Sequence, residues 1–337
     1  MSNTASRTAI LIALALLATL PFWLTNTYYI NVASQILYWA VFALGLNVLV
    51  GYAGLTSLGH AALFAFSAYA AAIAFNAGAG HTFSALIAIG LTIIMAGVFA
   101  TLALRATGIG FLMITLALGQ ILWGIAYRWA SLTNGDNGIN FKSRPMPFGF
   151  DLSSAHAFYS ATLVVFVLAV ASMAVFVRSP LGAALRGTRD QPRRMTALGY
   201  NVWLIRFTAF LFSGLWTAVA GLLFLYYNQF IGPQSADLQH SAEVLLMVIS
   251  GGTATILGPI AGATIVILMK NIVSAYVERW NMVLGLIFVI IITFMPEGLV
   301  PGLRRLVRLA WNRTPADVPA TAVAAPPVTS SAKVAPS

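Results

Sequence analysis

The sequence predicts an all-α polytopic membrane protein of about ten transmembrane helices, with broken segments near residues 51–59 and 250–259. Three observations carry this. Apolar residues make up 60% of the 337-residue chain and charged residues only 8%, whereas a soluble domain carries roughly a quarter. The apolar residues fall in long uncharged runs, not in alternating segments of about ten, which excludes an outer-membrane β-barrel. Clusters of Gly, Ser, Thr and Pro interrupt two of the runs, at Gly51 to Gly59 and at Ser250 to Pro259. Disorder needs low hydrophobicity and is excluded for most of the chain.

The first expected span is Ala9 to Leu20, preceded by Arg7. Pro21-Phe22-Trp23 follows with no small-residue cleavage site, so an uncleaved helix is expected here and not a signal peptide. Tyr28 and Tyr29 stand where an aromatic belt would. The runs Gln35–Val50, Ala61–Asn76, Ser84–Leu104, Ala106–Tyr127, Ala157–Val177 and Phe207–Tyr227 come next. Each is long enough, or nearly so, for a hydrocarbon core that takes about 20 helical residues. Val244 to Met269 is broken by Gly251-Gly252 and Gly258-Pro259 into two short spans, the second reaching about Val277. Trp280 to Pro296 is the last.

Placing the N-terminus inside puts 13 of the 18 Lys and Arg on the cytoplasmic side. They are Arg7, Arg105, six Arg between Arg178 and Arg206, Arg304, Arg305, Arg308, Arg313 and Lys333. This satisfies the positive-inside rule, and an even number of crossings puts both termini in the cytoplasm. The formal charge of +10 therefore reads as topology and not as nucleic-acid binding. Residues 1–313 form the membrane domain, with an outer loop over 131–156 and a basic inner loop over 178–206. Residues 314–337, rich in Ala, Pro, Val and Ser, read as a disordered cytoplasmic tail.

The chain has no Cys, so no thiolate site or disulfide is available. Its three Lys (Lys142, Lys270, Lys333) do not follow Gly, so there is no P-loop. The four His are scattered, without a zinc motif. The sequence therefore predicts no catalytic residue, no metal and no cofactor.

Unwound backbone in a bilayer survives only where it lines a cavity or is buried in protein, and transporters place broken helices at the substrate site. Asn47, Thr56, Ser57 and His60 around the first break, with Gly251 and Gly252 in the second, are the candidate substrate pathway. An ordinary loop with Gly for close packing explains the first break equally well. In the basic loop, Ser179-Pro180 followed by Gly182-Ala183-Ala184-Leu185 predicts a short helix along the membrane face. Gly187 and Gly199 are candidate helix ends. Gly182, Ala184, Arg186, Arg189, Leu198 and Gly199 are the residues through which that loop would meet a soluble partner. Composition alone favours a topology signal facing anionic lipid. Lys270, the one charge well inside a predicted helix, is expected to snorkel outward. Glu243 and Glu297 stand at span ends within reach of water, which leaves no mid-span acid for an ion-coupled carrier.

Gly51-Tyr52-Ala53-Gly54-Leu55-Thr56-Ser57-Leu58-Gly59-His60-Ala61-Ala62 resembles the GYAGLLSLGHAAF signature of branched-chain amino acid ABC importer permeases, of the LivM type. Thr133-Asn134-Gly135-Asp136-Asn137-Gly138-Ile139 resembles that family's TGGxxGL outer loop. The run from Ser179 to Arg186 and then Ala197-Leu198-Gly199-Tyr200-Asn201-Val202 resembles its cytoplasmic loop. Ser250-Gly251-Gly252 with Gly258-Pro259-Ile260-Ala261-Gly262-Ala263 resembles its GGxGSxxGPxxGA element. These motifs run in family order over roughly residues 35–300. There are two departures. Thr253-Ala254-Thr255 replaces x-Gly-Ser, and Gln191-Pro192-Arg193-Arg194 is basic where the family is acidic and Ala-rich.

The resemblance implies a multi-pass permease subunit of the bacterial inner membrane. It implies as partners two ATP-binding ATPase subunits, a second homologous permease, a periplasmic substrate-binding protein and membrane lipid. ATP-driven closure of the ATPases would rock the helices through the inner loop. Branched-chain amino acids are the implied substrate; urea, short amides and aromatic acids are the alternatives within the family. An ion-coupled secondary carrier is the alternative of another class.

Overall fold

The computed structural model describes residues 26–141 and 149–274, together with scattered residues between 276 and 302. Arg7, the expected first span, Lys142, Arg144, Glu297, most of the expected last span and the 314–337 tail lie outside the described residues.

The described chain is all-α apart from one two-residue strand pair. Its helices are α1 (Thr27–Asn47), α2 (His60–Asn76), α3 (His81–Ala103), α4 (Ile109–Arg128), α5 (Ala155–Arg178), α6 (Pro180–Asp190), α7 (Pro192–Ala197), α8 (Val202–Asn228), α9 (Leu238–Gly251) and α10 (Leu257–Val273). α1 runs on as a π-helical turn over Val48–Ala53. Among the described residues five helices are long and apolar enough to cross a bilayer: α1 with its π turn, α3, α4, α5 and α8. α2 and α10 are shorter apolar helices. The expected break in the run after Val244 falls between α9 and α10, and α10 ends at Val273, short of the expected Val277.

Local chemistry sets the helix starts. The side chains of Asn26, Ser154, Asn201 and Asp237 accept backbone N–H groups at the first turns of α1, α5, α8 and α9. Ser179 caps α6, and Pro180, which has no N–H to lose, occupies its first position.

α1 is the central element and packs against α5, α8, α9 and α10. Of its most apolar stretch 89% is buried, against 22% for α4 and α5. The peripheral helices instead expose Ile94, Val164, Leu168 and Val175. A soluble protein rarely shows so large an apolar surface, and here it suits hydrocarbon. The inner helices approach through small residues: Gly45 of α1 lies against Ser213 and Thr217 of α8, and Gly221 of α8 against the Phe64 carbonyl of α2.

The two ends of the bundle differ. Among the described residues Arg105, Arg178, Arg186, Arg189, Arg193, Arg194 and Arg206 gather at the end that carries α6 and α7. At the opposite end Ile139–Asn140 (β1) pairs antiparallel with Phe230–Ile231 (β2). Phe141 N–H extends this pairing to the Gln229 carbonyl at 2.8 Å, and Gln234 Nε2 donates to Asp136 Oδ1 at 3.1 Å. The Thr133–Ile139 motif is thereby tied to the connection between α8 and α9.

The turn between α9 and α10 holds Ala254 at φ 58°. This is the position where the element it resembles has glycine. A side chain in the left-handed region costs about 1 kcal/mol. Thr255 keeps the hydroxyl of the serine it replaces: its Oγ1 accepts the Gly258 N–H at 2.9 Å and donates to the Gly252 carbonyl at 2.9 Å. Ala254→Gly is therefore expected to stabilise the protein by about 1 kcal/mol. A thermal melt of the detergent-solubilised protein checks this, and an unchanged or lowered midpoint contradicts it.

Candidate functional site: two broken helices and a basic helix

The two breaks meet. α1 loosens into its π turn and closes on Gly54, which has φ 69° and a backbone N–H bonded to the Leu49 carbonyl. From Asn47, one turn earlier, Nδ2 donates to the Thr255 carbonyl at 2.8 Å, and Oδ1 accepts the Ala254 N–H at 3.1 Å. One amide side chain thus serves a donor and an acceptor of the second break. Gly51 faces Ala254 so closely that a Cβ there would collide with the Ala254 backbone and the Asn47 side chain. Gly251 and Gly252 are buried in the same crossing.

The segment that leads from the first break into α2 is held by side chains from three other helices. Leu58 N–H bonds Thr115 Oγ1 of α4 at 3.2 Å, and Ala61 N–H bonds Ser241 Oγ of α9 at 3.2 Å. His60 Nδ1 lies 2.8 Å from Ser57 Oγ, and Nε2 lies 3.0 Å from Ser213 Oγ of α8. Ser213 gives its own hydrogen to the Gly45 carbonyl at 2.6 Å, so its oxygen must accept from Nε2–H. Ser57 Oγ takes the Gly59 N–H and lies within hydrogen-bond distance of Nδ1. In a neutral imidazole the proton is then on Nε2, and Ser57 donates to Nδ1.

The predicted pathway residues therefore fall into two groups. Asn47, Gly251 and Gly252 come together at the helix crossing. Ser57 and His60 form a separate buttress against α8, and Thr56 is half-buried beside it. Asn47, Ser57 and His60 are each at most 2% exposed, and their polar atoms are bonded within the protein. In this conformation they hold the break together and face no open passage.

The predicted short helix of the basic loop is α6, with α7 behind it. Three arginines clamp it. Arg186 Nη1 donates back to the Val177 carbonyl of α5 at 3.1 Å, and Arg206 Nη2 of α8 donates to the Thr188 carbonyl at 2.8 Å. Arg189 Nη1 donates to the Gly51 carbonyl in the π turn, and its stem lies against Gly54. Arg186 and Arg189, expected to face a partner, are both exposed, and each also donates to a carbonyl of this chain. Gly182 is buried against Phe176 and Val177, and Ala184 is half-buried. Gly187 is not a helix end: it lies inside α6, where the side chain of Met195 crosses it. Gly199 does follow the end of α7, with φ 83°, and the Tyr200 N–H closes on the Met195 carbonyl. The outward face is carried by Arg193, Arg194, Leu198, Tyr200, Trp203 and Leu204, with Leu198 67% exposed.

Sequence reasoning missed one pair. Lys270 does not snorkel outward: its Nζ lies 3.4 Å from Glu243 Oε1. Glu243, expected at a span end within reach of water, is buried in the second turn of α9. An acid therefore does lie inside the bundle. The only sequence signal was two opposite charges in apolar runs on either side of a Gly-rich break.

Residues 28–292 match the family described as branched-chain amino acid transport system / permease component. The chain is 26% identical over 331 residues to the high-affinity branched-chain amino acid transport system permease protein LivM of Salmonella typhimurium, covering 91% of this chain and 78% of that protein. Identity and coverage are the same for the protein of that name from Escherichia coli. No solved structure matches the chain. With the family match running through α1–α10 and both breaks, the chain belongs to the permease components of branched-chain amino acid transport systems.

Proposed function

We propose that this chain is a membrane-spanning subunit of a binding-protein-dependent ABC importer of the bacterial inner membrane. It carries branched-chain amino acids by alternating access. Its partners are two ATP-binding subunits, a second homologous permease and a periplasmic substrate-binding protein. The observation that carries this reading, beside family membership, is the Arg189 contact on Gly51. A helix at the basic end is bonded directly to the first break, and Asn47 bonds that break to the second. Motion imposed on α6 and α7 therefore reaches both unwound segments without passing through flexible chain. The exposed group of Leu198, Tyr200, Trp203 and Leu204 beside Arg193 and Arg194 is the face that an ATPase would cover. Arg193 and Arg194 there set specificity and encounter rate more than affinity.

An ion-coupled carrier is disfavoured by the same geometry. The buried Glu243 carboxylate is already neutralised by Lys270, so it is not the lone acid that a proton or sodium ion would occupy.

The seven arginines at the α6 and α7 end support a cytoplasmic location for that end, by the positive-inside rule. The Thr133–Ile139 motif then faces the periplasm. Because the native chain has no Cys, a single Cys at the exposed Asn137 reports this directly. Impermeant maleimide is expected to label it in intact spheroplasts, and labelling only after lysis contradicts the orientation.

Uptake of labelled leucine by the reassembled importer tests the function, and two substitutions separate docking from transmission. Leu198→Asp places a charge on the outward face and is expected to lower ATPase co-purification by about tenfold or more, with the permease at its normal membrane level. Arg189→Met leaves that face intact and removes the bond to Gly51. It is expected to keep the ATPase bound while uptake falls. ATP-independent uptake driven by an ion gradient through this chain alone would refute the importer reading.

A further inference from the structure

At the end of the bundle away from α6, four helices bring charged and polar side chains together inside apolar surroundings. Lys270 of α10 reaches Glu243 of α9 at 3.4 Å, and its Nζ lies 5.9 Å from the ring centre of Trp39 on α1. Trp39 stacks on His240, with ring centres 6.1 Å apart, and on Phe64, at 5.8 Å. Beside Lys270, Asn271 Nδ2 donates to Gln35 Oε1 at 3.2 Å, and Gln35 Nε2 donates to the Tyr227 hydroxyl at 2.8 Å. The Glu243 side chain is 8% exposed and that of Lys270 35%. One charge is thus fixed in the interior, while the other sits on a flexible four-carbon stem with room to move.

A buried ion pair is a poor way to hold helices together, because apolar side chains of similar volume do it as well or better. Ionisable residues inside a membrane bundle instead mark what passes through. We propose that Glu243 and Lys270 bind the zwitterionic head of an α-amino acid as it crosses the bundle. This rests on the amino-acid reading above. The α-carboxylate takes Lys270 from Glu243, and the α-ammonium takes the vacated Glu243 carboxylate and the face of Trp39. One ion pair becomes two, no charge is left bare at any stage, and no covalent bond changes. A ring face within about 6 Å is the range in which an ammonium is attracted to it. Phe64, stacked on Trp39, gives an aliphatic side chain an apolar neighbour. Urea and neutral amides lack both charges, so they cannot exchange with the pair.

The test uses the whole importer with its ATPases and binding protein in proteoliposomes. The unaltered complex is assayed first, and absence of leucine uptake there refutes the amino-acid reading itself. In that complex, leucine is expected to slow reductive methylation of Lys270, followed by mass spectrometry. Leucinamide and 4-methylpentanoate, which each lack one charge, are expected not to. An unchanged methylation rate with leucine overturns the proposal. Uptake per assembled complex is then compared for two double variants that leave no charge unpaired. Glu243→Gln with Lys270→Met removes both charges, and Glu243→Lys with Lys270→Glu exchanges them across Trp39. Both are expected to lose uptake by about tenfold or more, the scale of one charge-assisted contact. Uptake within about twofold of native in the neutral double variant means that the pair only joins α9 to α10, and overturns the proposal.

Discussion

Each peptide group that leaves a helix inside this bundle needs a hydrogen-bond partner from protein, because hydrocarbon offers none and an unmet group costs several kcal/mol. The Asn47 amide meets that need for the second break from within the first. A hydroxyl at position 47 could not reach both the Thr255 carbonyl and the Ala254 N–H, and a carboxylate could not donate. The side chain only reaches because Gly51 lets the two backbones touch. Asn47, Gly51 and the 252–256 turn therefore form one joint, and the helices on either side are positioned by it.

The basic helix gains its meaning from that joint. A loop that only marked the cytoplasmic face would leave its arginines in water or on lipid headgroups. Here Arg186, Arg189 and Arg206 all end on main-chain carbonyls and fix α6 to α5, to the π turn and to α8. A π turn is a weaker hydrogen-bonded ring than an α turn and is often found at functional positions. Bonding the one guanidinium of Arg189 to such a turn makes α6 a lever on the least regular part of the central helix. This is a contiguous set of discrete bonds, the kind of network along which coupling travels.

Helix order, the two breaks and the short inner helix were legible from apolar run length and from Gly, Ser and Pro placement, because those signals are local. The roles of the site residues were less so. Polar residues beside a broken helix look alike in sequence whether they face a passage or brace the break, and Asn47, Ser57 and His60 proved to be bonded inward. The intrachain bonds of Arg186 and Arg189 were not legible, because their targets are bare carbonyls, which carry no sequence mark. Glu243 and Lys270 lie on separate helices, and only the hairpin geometry of α9 and α10 brings them together. Ala254 is the reverse case. Its departure from glycine stood out in sequence, and its positive φ supplies the physical cost.

The proposed joint and the proposed amino-acid site share the central helix. Trp39 and Asn47 are eight residues apart on α1, about 12 Å along its axis. Trp39 touches the α9–α10 hairpin near one end of the bundle, and Asn47 grips the turn between those same two helices nearer the other. A rigid shift of the hairpin against α1 must alter both contacts together, because α9 and α10 are joined by the turn that Asn47 holds. The charged pair and the joint are therefore two ends of one sliding surface. A displacement begun at Arg189 and Gly51 has a route to Lys270 through the π turn and the Asn47 joint, and then along α1 and α10.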